Sequence, residues 1–291
     1  MSNLRRVMAG ERCARFVGVH DGLTAALVEE AGFEGVWVSG LAVSSSYRLP
    51  DAGVLTMTEF VGAAAQVRHA CALPIIADVD AGFGDANVVQ RMVRLYESAG
   101  IDAVCMEDKQ GPKRNSFRDG STLADPVEFA EKIAAAKAAQ RSDEFVVVAR
   151  LESLIIGAGL DDAVSRAHRY ADAGADALLI HSRAAHAGEI EEFAAAWRSS
   201  GRDLPLIAVP TTYYKVTVDE LTTMGINVAI YANQLIRAST RAGREVLRSI
   251  DKFGSGTEVE NTLDPLQVLF ELVGMNQVRG DQPWQGLIGS R

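Results

Sequence analysis

One stretch of the chain, residues 106–117, places acidic side chains directly before basic and amide side chains. The acids are Glu107 and Asp108, at the end of a short apolar run. The later group consists of Lys113, Arg114, Asn115 and Ser116. Carboxylates at the end of a buried strand can hold a hard cation through oxygen, and the side chains that follow can bind an anion. The stretch predicts half of a site for a metal ion and an anionic substrate, with a solvated charged turn as the alternative.

A second pair of acids, Asp78 and Asp80, follows another apolar run. With one residue between them on a predicted extended segment, their side chains are expected to point the same way, and Glu107 on the next strand can join them. Three carboxylates without histidine or cysteine favour Mg²⁺ or Mn²⁺ over zinc. The alternative for Asp78 and Asp80 is an ordinary turn at a strand end.

Three further strand ends carry groups that can bind an anion. Arg150 ends an apolar run, so its guanidinium needs either a bound anion or an ion pair with Glu152 or Glu107. His181 ends another apolar run and is either a donor to a phosphoryl oxygen or a satisfied core histidine. The backbone N–H groups of residues 39–41 can face a carboxylate, or simply form a turn.

The elements that must position these groups alternate along the chain. Short apolar runs predict eight strands, at 16–19, 35–39, 75–79, 103–106, 145–149, 177–180, 206–209 and 228–231. Patterns of helical spacing lie between them, at 24–31, 87–99, 126–139, 160–173, 190–198 and 218–224. Strands that are apolar on both faces need helices around them, so the pattern predicts an α/β fold, a single (β/α)8 TIM-type barrel. In such a barrel, the polar strand ends meet at one face.

Composition narrows the class of protein. The chain has 291 residues, 48% of them hydrophobic, and a net charge of −9, which argues against nucleic acid as a partner. Cys13, Cys71 and Cys105 are odd in number and lie in apolar surroundings, which favours buried free thiols in a reducing compartment. We find no pattern of a signal peptide or a membrane span. We therefore expect a cytoplasmic protein of one domain, 1–291, with a helical C-terminal extension from about Ala238.

These residues carry a family resemblance over about 15–240. The motifs are Gly35-Val36-Trp37 with Ser39-Gly40-Leu41, Asp78-Val79-Asp80-Ala81-Gly82-Phe83-Gly84, Glu107-Asp108-Lys109, and Pro112-Lys113-Arg114-Asn115-Ser116. Together they resemble the phosphoenolpyruvate mutase family of the isocitrate lyase superfamily. The carbon–carbon lyases of that superfamily carry a cysteine in the last of these motifs. This chain has no cysteine after Cys105, so a lyase is disfavoured.

The resemblance implies a Mg²⁺-dependent interconversion of phosphoenolpyruvate and phosphonopyruvate, with Mn²⁺ as a possible substitute. The implied metal residues are Asp78, Asp80 and Glu107. The implied substrate-binding residues are Trp37, Ser39, Gly40, Leu41, Asp78, Asn115, Arg150 and His181. The implied catalytic residues are Asp51, Lys113, Asn115, Ser116, Arg150 and His181, with 113, 115 and 116 on a loop that closes over the substrate.

The resemblance leaves other activities open. A phosphonopyruvate hydrolase, which breaks the carbon–phosphorus bond, is the nearest alternative, because the segment 46–57 and Ile180-His181-Ser182-Arg183 read like that enzyme. Asn115-Ser116 favours the mutase. A barrel that binds a small acid without catalysis is a further alternative. The resemblance also implies a homo-oligomer, a dimer or tetramer, with C-terminal helices swapped between barrels, and the apolar helical pattern at 263–273 is consistent with this.

Overall fold

The computed structural model describes residues 2–278, and its eight parallel strands close in chain order into a barrel. The strands are β1 Ala14–Val19, β2 Gly35–Val38, β3 Ile75–Asp78, β4 Ala103–Glu107, β5 Val146–Leu151, β6 Ala177–Ile180, β7 Leu206–Ala208 and β8 Val228–Tyr231. Closure is made by β1 and β8, with Ala14 opposite Val228 and Phe16 opposite Ile230. The predicted (β/α)8 fold and all eight predicted strands are confirmed.

Helices follow the strands and surround the barrel. They are α1 Asn3–Met8, α2 Gly22–Glu30, α3 Gly40–Ser46, α4 Met57–Ala70, α5 Ala86–Ser98, α6 Pro126–Ala139, α7 Ser153–Ile156, α8 Leu160–Asp172, α9 Gly188–Ser199, α10 Val218–Met224, α11 Gln234–Phe253, α12 Thr257–Glu260 and α13 Leu266–Leu272. A short 3-10 helix, Met275–Gln277, comes last. The six helices predicted from the spacing are present.

Two helices between β2 and β3 were not predicted. The longer one, α4, has a sequence signal at its start, because Thr56 and Glu59 form a capping box in which each side chain bonds the backbone of the other. The shorter one, α3, begins at Gly40 directly after Ser39, whose hydroxyl accepts from the Ala42 N–H at 3.3 Å. Both helices place residues 39–51 around one side of the barrel mouth.

Two packed layers hold the barrel. Inside it, Phe16, Trp37, Ile76 and Val146 are buried together with Leu4 and Met8 of α1. Outside it, the strands pack against the helices through a second apolar cluster. The alternation of side chains along each strand divides them between these layers, which explains why the strands are apolar throughout.

The C-terminal region leaves the barrel. The helix α11 runs without a break through Ala238, where the extension was expected to begin, but nearly all of it from Arg237 onward is exposed. None of its residues is buried. The predicted helix at 263–273 is present in a shorter form, α13, because Pro265 cannot donate within a helix and stands as its N-cap. The final segment, 280–291, for which the sequence made no prediction, lies outside the described residues.

Cys13, Cys71 and Cys105 are free thiols and buried, as predicted. Burial raises the pKa of Cys13 to about 12. In the part of the chain that the structure describes, no helix has the length and apolar content that a membrane span needs.

Candidate active site

A small cavity of about 60 Å³ lies at the carboxyl ends of the strands. Its walls come from strand ends and from the loop that follows β4. The predicted residues on its walls are Trp37, Ser39, Leu41, Asp51, Asp78, Glu107, Lys113, Asn115, Ser116, Arg150 and His181. The chain thus brings together at one mouth residues that lie up to 144 positions apart, from Trp37 to His181. An acidic substrate needs compensating positive charge in this cavity, so the balance of charge on its walls decides whether such a substrate can bind.

One side of the cavity carries Asp51, Asp78 and Glu107, and Asp80 lies behind them on the wall of a neighbouring cavity; we call these four residues the acid corner. Asp78 ends β3 and its Oδ2 accepts from the Gly40 N–H at 3.3 Å. Asp80 is not on an extended segment as expected, because the backbone turns there with a φ of 50°. The premise that Asp78 and Asp80 point the same way along a strand is therefore wrong. A turn closed by Gly82 N–H on the Val79 carbonyl, at 2.9 Å, sets the position of Asp80 instead.

The acid corner is short of positive charge. The pKa of Asp80 is raised to about 6, because burial and the neighbouring Asp78 together outweigh the lowering effect of Lys113. Burial also raises the pKa of Glu107 to about 7, although Arg150 and Lys109 lower it. Lys109 Nζ lies 3.1 Å from Glu107 Oε2. Buried carboxylates with raised pKa values indicate a place where further positive charge would be stabilising.

The donors of the acid corner fit a hard divalent cation in chemistry. All of them are carboxylate oxygens, and Asp78, Asp80 and Glu107 are each at most 9% exposed. In the arrangement described for residues 2–278, however, no three His, Cys, Asp or Glu side chains are placed to hold a metal ion together. Lys113, in contact with Asp80 and 2.7 Å from Asp51 Oδ1, supplies the positive charge among them.

The loop between β4 and α6, residues 108–125, closes the cavity. Its two arms are joined by an antiparallel bridge between Lys109 and Leu123. At its tip Asn115 Nδ2 donates to Asp51 Oδ2 at 2.8 Å. Burial would raise the pKa of Asp51, but Lys113 and Asn115 outweigh it and hold that pKa below its usual value. Asp51 is therefore an ionised anchor for the loop.

The other side of the cavity, which we call the basic corner, holds Arg150, His181 and Lys109 around Glu152 and Ser116. Arg150 lies within β5 rather than at its end, directly opposite Glu107 of β4. Its Nε donates to Glu152 Oε1 at 2.6 Å. Both expected ion pairs of Arg150 are therefore present, and they do not exclude an anion, because the guanidinium also lines the cavity.

His181 is held at one ring nitrogen and not at the other. Nδ1 lies 2.8 Å from Glu152 Oε1 and 2.9 Å from Arg150 Nη2, whereas the buried Nε2 has no partner in the described part of the chain. Burial, and then Arg150, lowers the pKa of His181. The expectation of a core histidine with all of its hydrogen bonds satisfied therefore holds for Nδ1 and not for Nε2. The unpaired Nε2 belongs to a residue that lines the cavity.

The comparisons with known proteins decide the family. A family model described as phosphoenolpyruvate phosphomutase matches residues 4–251. The chain belongs to the phosphoenolpyruvate phosphomutase family. It is 40% identical to a phosphonopyruvate hydrolase of Variovorax sp. (strain Pal2), with 95% of each chain covered.

Two solved structures share the fold. A phosphoenolpyruvate phosphomutase from Streptomyces platensis subsp. rosaceus matches with a TM-score of 0.92 and 43% identity, covering 94% of this chain and 95% of that one. A phosphonopyruvate hydrolase in complex with oxalate and Mg²⁺ matches with a TM-score of 0.88 and 39% identity, over the same shares. The chain is therefore an enzyme of this family, and the phosphomutases among its relatives support an isomerase.

Three residues outside the predicted set of site residues also line the cavity. Phe117 lies edge-on to the His181 ring with centroids 5.8 Å apart. Thr211 and Asn233 line the mouth from the ends of β7 and β8, and Asn233 Nδ2 donates to Thr211 Oγ1 at 3.2 Å. Both lie just after predicted strands, so position at a strand end was a usable signal for them. Phe117 had none, since its place depends on how the loop closes.

Asp108, the second acid of the family motif Glu107-Asp108-Lys109, points away from the cavity. Its Oδ1 accepts from the Glu152 N–H at 2.8 Å, and its Oδ2 accepts from the Tyr170 hydroxyl at 2.8 Å. Burial raises its pKa to about 6, although these hydrogen bonds lower it. Asp108 therefore fixes the backbone at Glu152, and of the two acids it is Glu107 that lines the cavity.

Proposed function

We propose that this enzyme interconverts phosphoenolpyruvate and phosphonopyruvate by moving a phosphoryl group between the enol oxygen and carbon 3 of one molecule. The observation that carries the proposal is the closed β4–α6 loop, in which Asn115 and Lys113 both bond Asp51 over the cavity. A transferring phosphoryl group reacts readily with water, so a mutase needs a site that excludes it. The paired side chains of Asp51, Lys113 and Asn115 form a wall that would keep water out of the cavity.

The basic corner suits the phosphoryl group. Arg150 carries a full positive charge, because Glu152 and Glu107 outweigh burial and hold its pKa well above the usual value. We propose that Arg150, His181 and Asn115 bind the phosphoryl oxygens and spread the charge that develops during transfer. Asp51 would orient the phosphoryl group without accepting it.

The acid corner suits a divalent cation, and we propose Mg²⁺, held by Asp78 directly and by Asp80 and Glu107 partly through water. Bound Mg²⁺ would stabilise the negative charge of the enolate oxygen. Ser39, Gly40 and Leu41 at the start of α3 would anchor the substrate carboxylate, with Trp37 as the floor of the cavity. Gly40 is required there, because a Cβ at this position would lie 2.9 Å from Asp78 Oδ2.

Hydrolysis of phosphonopyruvate to pyruvate and phosphate is the second candidate. A larger cavity of about 600 Å³ lies behind the acid corner, and Glu107, Lys109 and Lys113 line both spaces. Water in that cavity would reach the phosphoryl group if Lys113, which lies between the two spaces, moved aside. The hydrolase of Variovorax among the relatives is consistent with this candidate.

Phosphorus NMR of the purified enzyme with Mg²⁺ and phosphonopyruvate separates the two. We expect a new phosphoenolpyruvate signal without free phosphate. Phosphate and pyruvate in equal amounts would replace the mutase by the hydrolase. Absence of Mg²⁺-dependent turnover on both phosphonopyruvate and phosphoenolpyruvate would reject both and favour a barrel that only binds a small acid.

We also propose that the enzyme is a homo-oligomer in which the C-terminal helices of a second copy cover this barrel. An apolar groove of about 480 Å³ lies beside β8 and β1, lined by Val17, Leu27, Val28 and Phe33 among others. The first turn of this chain's α11, at Gln234 and Leu235, lines that groove, while Leu247, Ile250 and Phe253 farther along the helix are exposed. Size-exclusion chromatography with light scattering should show a dimer or tetramer, and a monomer would overturn the exchange.

A further inference from the structure

Glu152 connects the β4–α6 loop to the basic corner. Its side chain is fully buried, and each carboxylate oxygen serves a different partner group. Oε1 accepts from Arg150 Nε at 2.6 Å and lies 2.8 Å from His181 Nδ1. Oε2 accepts from the Ser116 hydroxyl at 2.7 Å and lies 3.5 Å from Lys109 Nζ. One carboxylate thus touches both the anion-binding pair and the loop.

Ser116 is the point where the loop is attached. Its hydroxyl donates to Glu152, and the same oxygen accepts from Lys109 Nζ at 2.9 Å and from Arg150 Nη2 at 3.0 Å. A hydroxyl has one donor and two acceptor positions, so the hydrogen-bonding capacity of Ser116 is used completely. These bonds hold the loop at residue 116 against Glu152 and Arg150.

The charge of Glu152 supports the contact. Burial would raise its pKa, but Arg150, His181 and Lys109 outweigh burial and hold that pKa well below its usual value. Its backbone is fixed as well, because its N–H donates to Asp108 Oδ1 at 2.8 Å. By contrast, the contact of the loop through Asp119 with Arg183 is exposed, and such surface pairs contribute little.

We infer that Glu152 is a positioning residue that latches the closed loop to the phosphoryl-binding pair of Arg150 and His181. Closure of the loop and alignment of the pair are then one event, since the Ser116 hydroxyl meets Glu152 only beside an Arg150 and His181 already held by the same carboxylate. The catalytic meaning of the latch rests on the function proposed above, whereas the contact itself does not.

The substitution Glu152→Gln separates the two halves of this contact. The amide oxygen can still accept from Arg150 and His181, but the amide NH₂ faces Ser116, whose two acceptor positions are occupied by Lys109 and Arg150. The Ser116 hydroxyl then loses its acceptor. Ser116→Ala breaks the same contact from the loop side without touching Glu152.

Limited trypsin digestion in buffer with Mg²⁺ measures how often the loop opens, because cleavage after the exposed Arg114 and Arg118 follows the population of the open form. We expect both variants to be cleaved at least about tenfold faster than the unmodified enzyme, since each loses a hydrogen bond to a charged group. The effect of the double variant on the cleavage rate should be smaller than the product of the two single effects, because the hydrogen bond between Ser116 and Glu152 is lost only once.

The matched control is Glu34→Gln, which removes an ion pair with Arg15 at the opposite end of the strands and should leave cleavage of the loop unchanged. Unchanged cleavage in Ser116→Ala, or additive effects in the double variant, would overturn the latch. Should Glu152→Gln fail to fold, Ser116→Ala carries the test alone. If the cleavage rates behave as expected while phosphorus NMR shows no turnover, the latch stands and the proposed function falls.

Discussion

The acid corner and the basic corner face each other across one cavity and differ in how their charges are balanced. In the acid corner Lys113 contacts Asp51 and Asp80, and Lys109 lies 3.1 Å from Glu107, yet the pKa values of Asp80 and Glu107 are raised to about 6 and about 7. In the basic corner Arg150 and Lys109 surround Glu152, and the pKa of Glu152 is held low. The carboxylates of the acid corner are thus less well compensated by positive charge than Glu152 of the basic corner.

The difference indicates which part of the site needs a ligand to become stable. Burying carboxylates without enough compensating charge costs free energy, which a bound cation can recover. The basic corner is preorganised, since each charged group already has a buried partner. We therefore expect substitutions in the acid corner to act through the metal and substitutions near the basic corner to act through the phosphoryl group.

Asp78→Ala should have the largest effect. It removes the carboxylate proposed to hold Mg²⁺ directly, and we expect turnover of phosphonopyruvate, followed by phosphorus NMR, to fall by about a thousandfold or more. Asp85→Asn is the control, because Asp85 is an exposed helix cap outside the cavity. Turnover of Asp78→Ala close to that of the control would remove the proposed metal site.

Asn115→Ala should come next, with turnover reduced about a hundredfold, because the side chain is proposed to contact the phosphoryl group and bonds Asp51. The melting temperature should stay near that of the unmodified enzyme, since Asn115 lies on a surface loop. Asn87→Ala, at an exposed amide on α5, serves as the comparison. Equal turnover in the two variants would take the loop out of the mechanism.

Gly40→Ala should have a smaller effect on the acid corner. The added Cβ would lie 2.9 Å from Asp78 Oδ2 and 3.3 Å from Lys113 Nζ, and displacing Asp78 should reduce turnover by about tenfold. Gly62→Ala meets no atom within 4 Å and is the matched control. If the two glycine variants have the same turnover, the position of Asp78 is not limiting.

The smallest expected effect is a change in the free energy of unfolding with pH in the absence of metal. The folded protein holds a proton on Glu107 more tightly than the unfolded chain does, because its pKa is raised from 4.5 to about 7. Its ionised form is therefore destabilising, and the free energy of unfolding in EDTA should rise by about 1 kcal/mol, through Glu107 alone, as the pH falls from about 8 to about 6. Glu107→Gln should lack this increment.

Urea denaturation of both proteins at the two pH values measures the increment as a difference. His181 acts in the opposite direction, because its lowered pKa removes stability as the pH falls, but it is present in both proteins and cancels. Equal pH dependence in the two proteins would show that Glu107 does not titrate in this range.

Much of the fold could be predicted, because periodicity is a local property. All eight strands were found from short apolar runs, and six helices from their spacing. The helix α4 was not, although its capping residues Thr56 and Glu59 were readable. The observed strand ends differ from the predicted ones where pairing with a neighbouring strand sets the end. For example, β5 continues through Arg150 and Leu151 because β4 and β6 extend alongside it.

By itself, the sequence determined the barrel and the types of residue at its mouth, since apolar spacing specifies strands and helices, and parallel strands end at one face. Only the tertiary structure decided which of those residues face the cavity and which are buried behind it. It turned the backbone at Asp80, buried Asp108 behind the site, and left His181 Nε2 unpaired. It also placed Glu152 between the loop and the pair of Arg150 and His181. Such contacts join residues far apart in the chain, and their geometry depends on packing that no local pattern encodes.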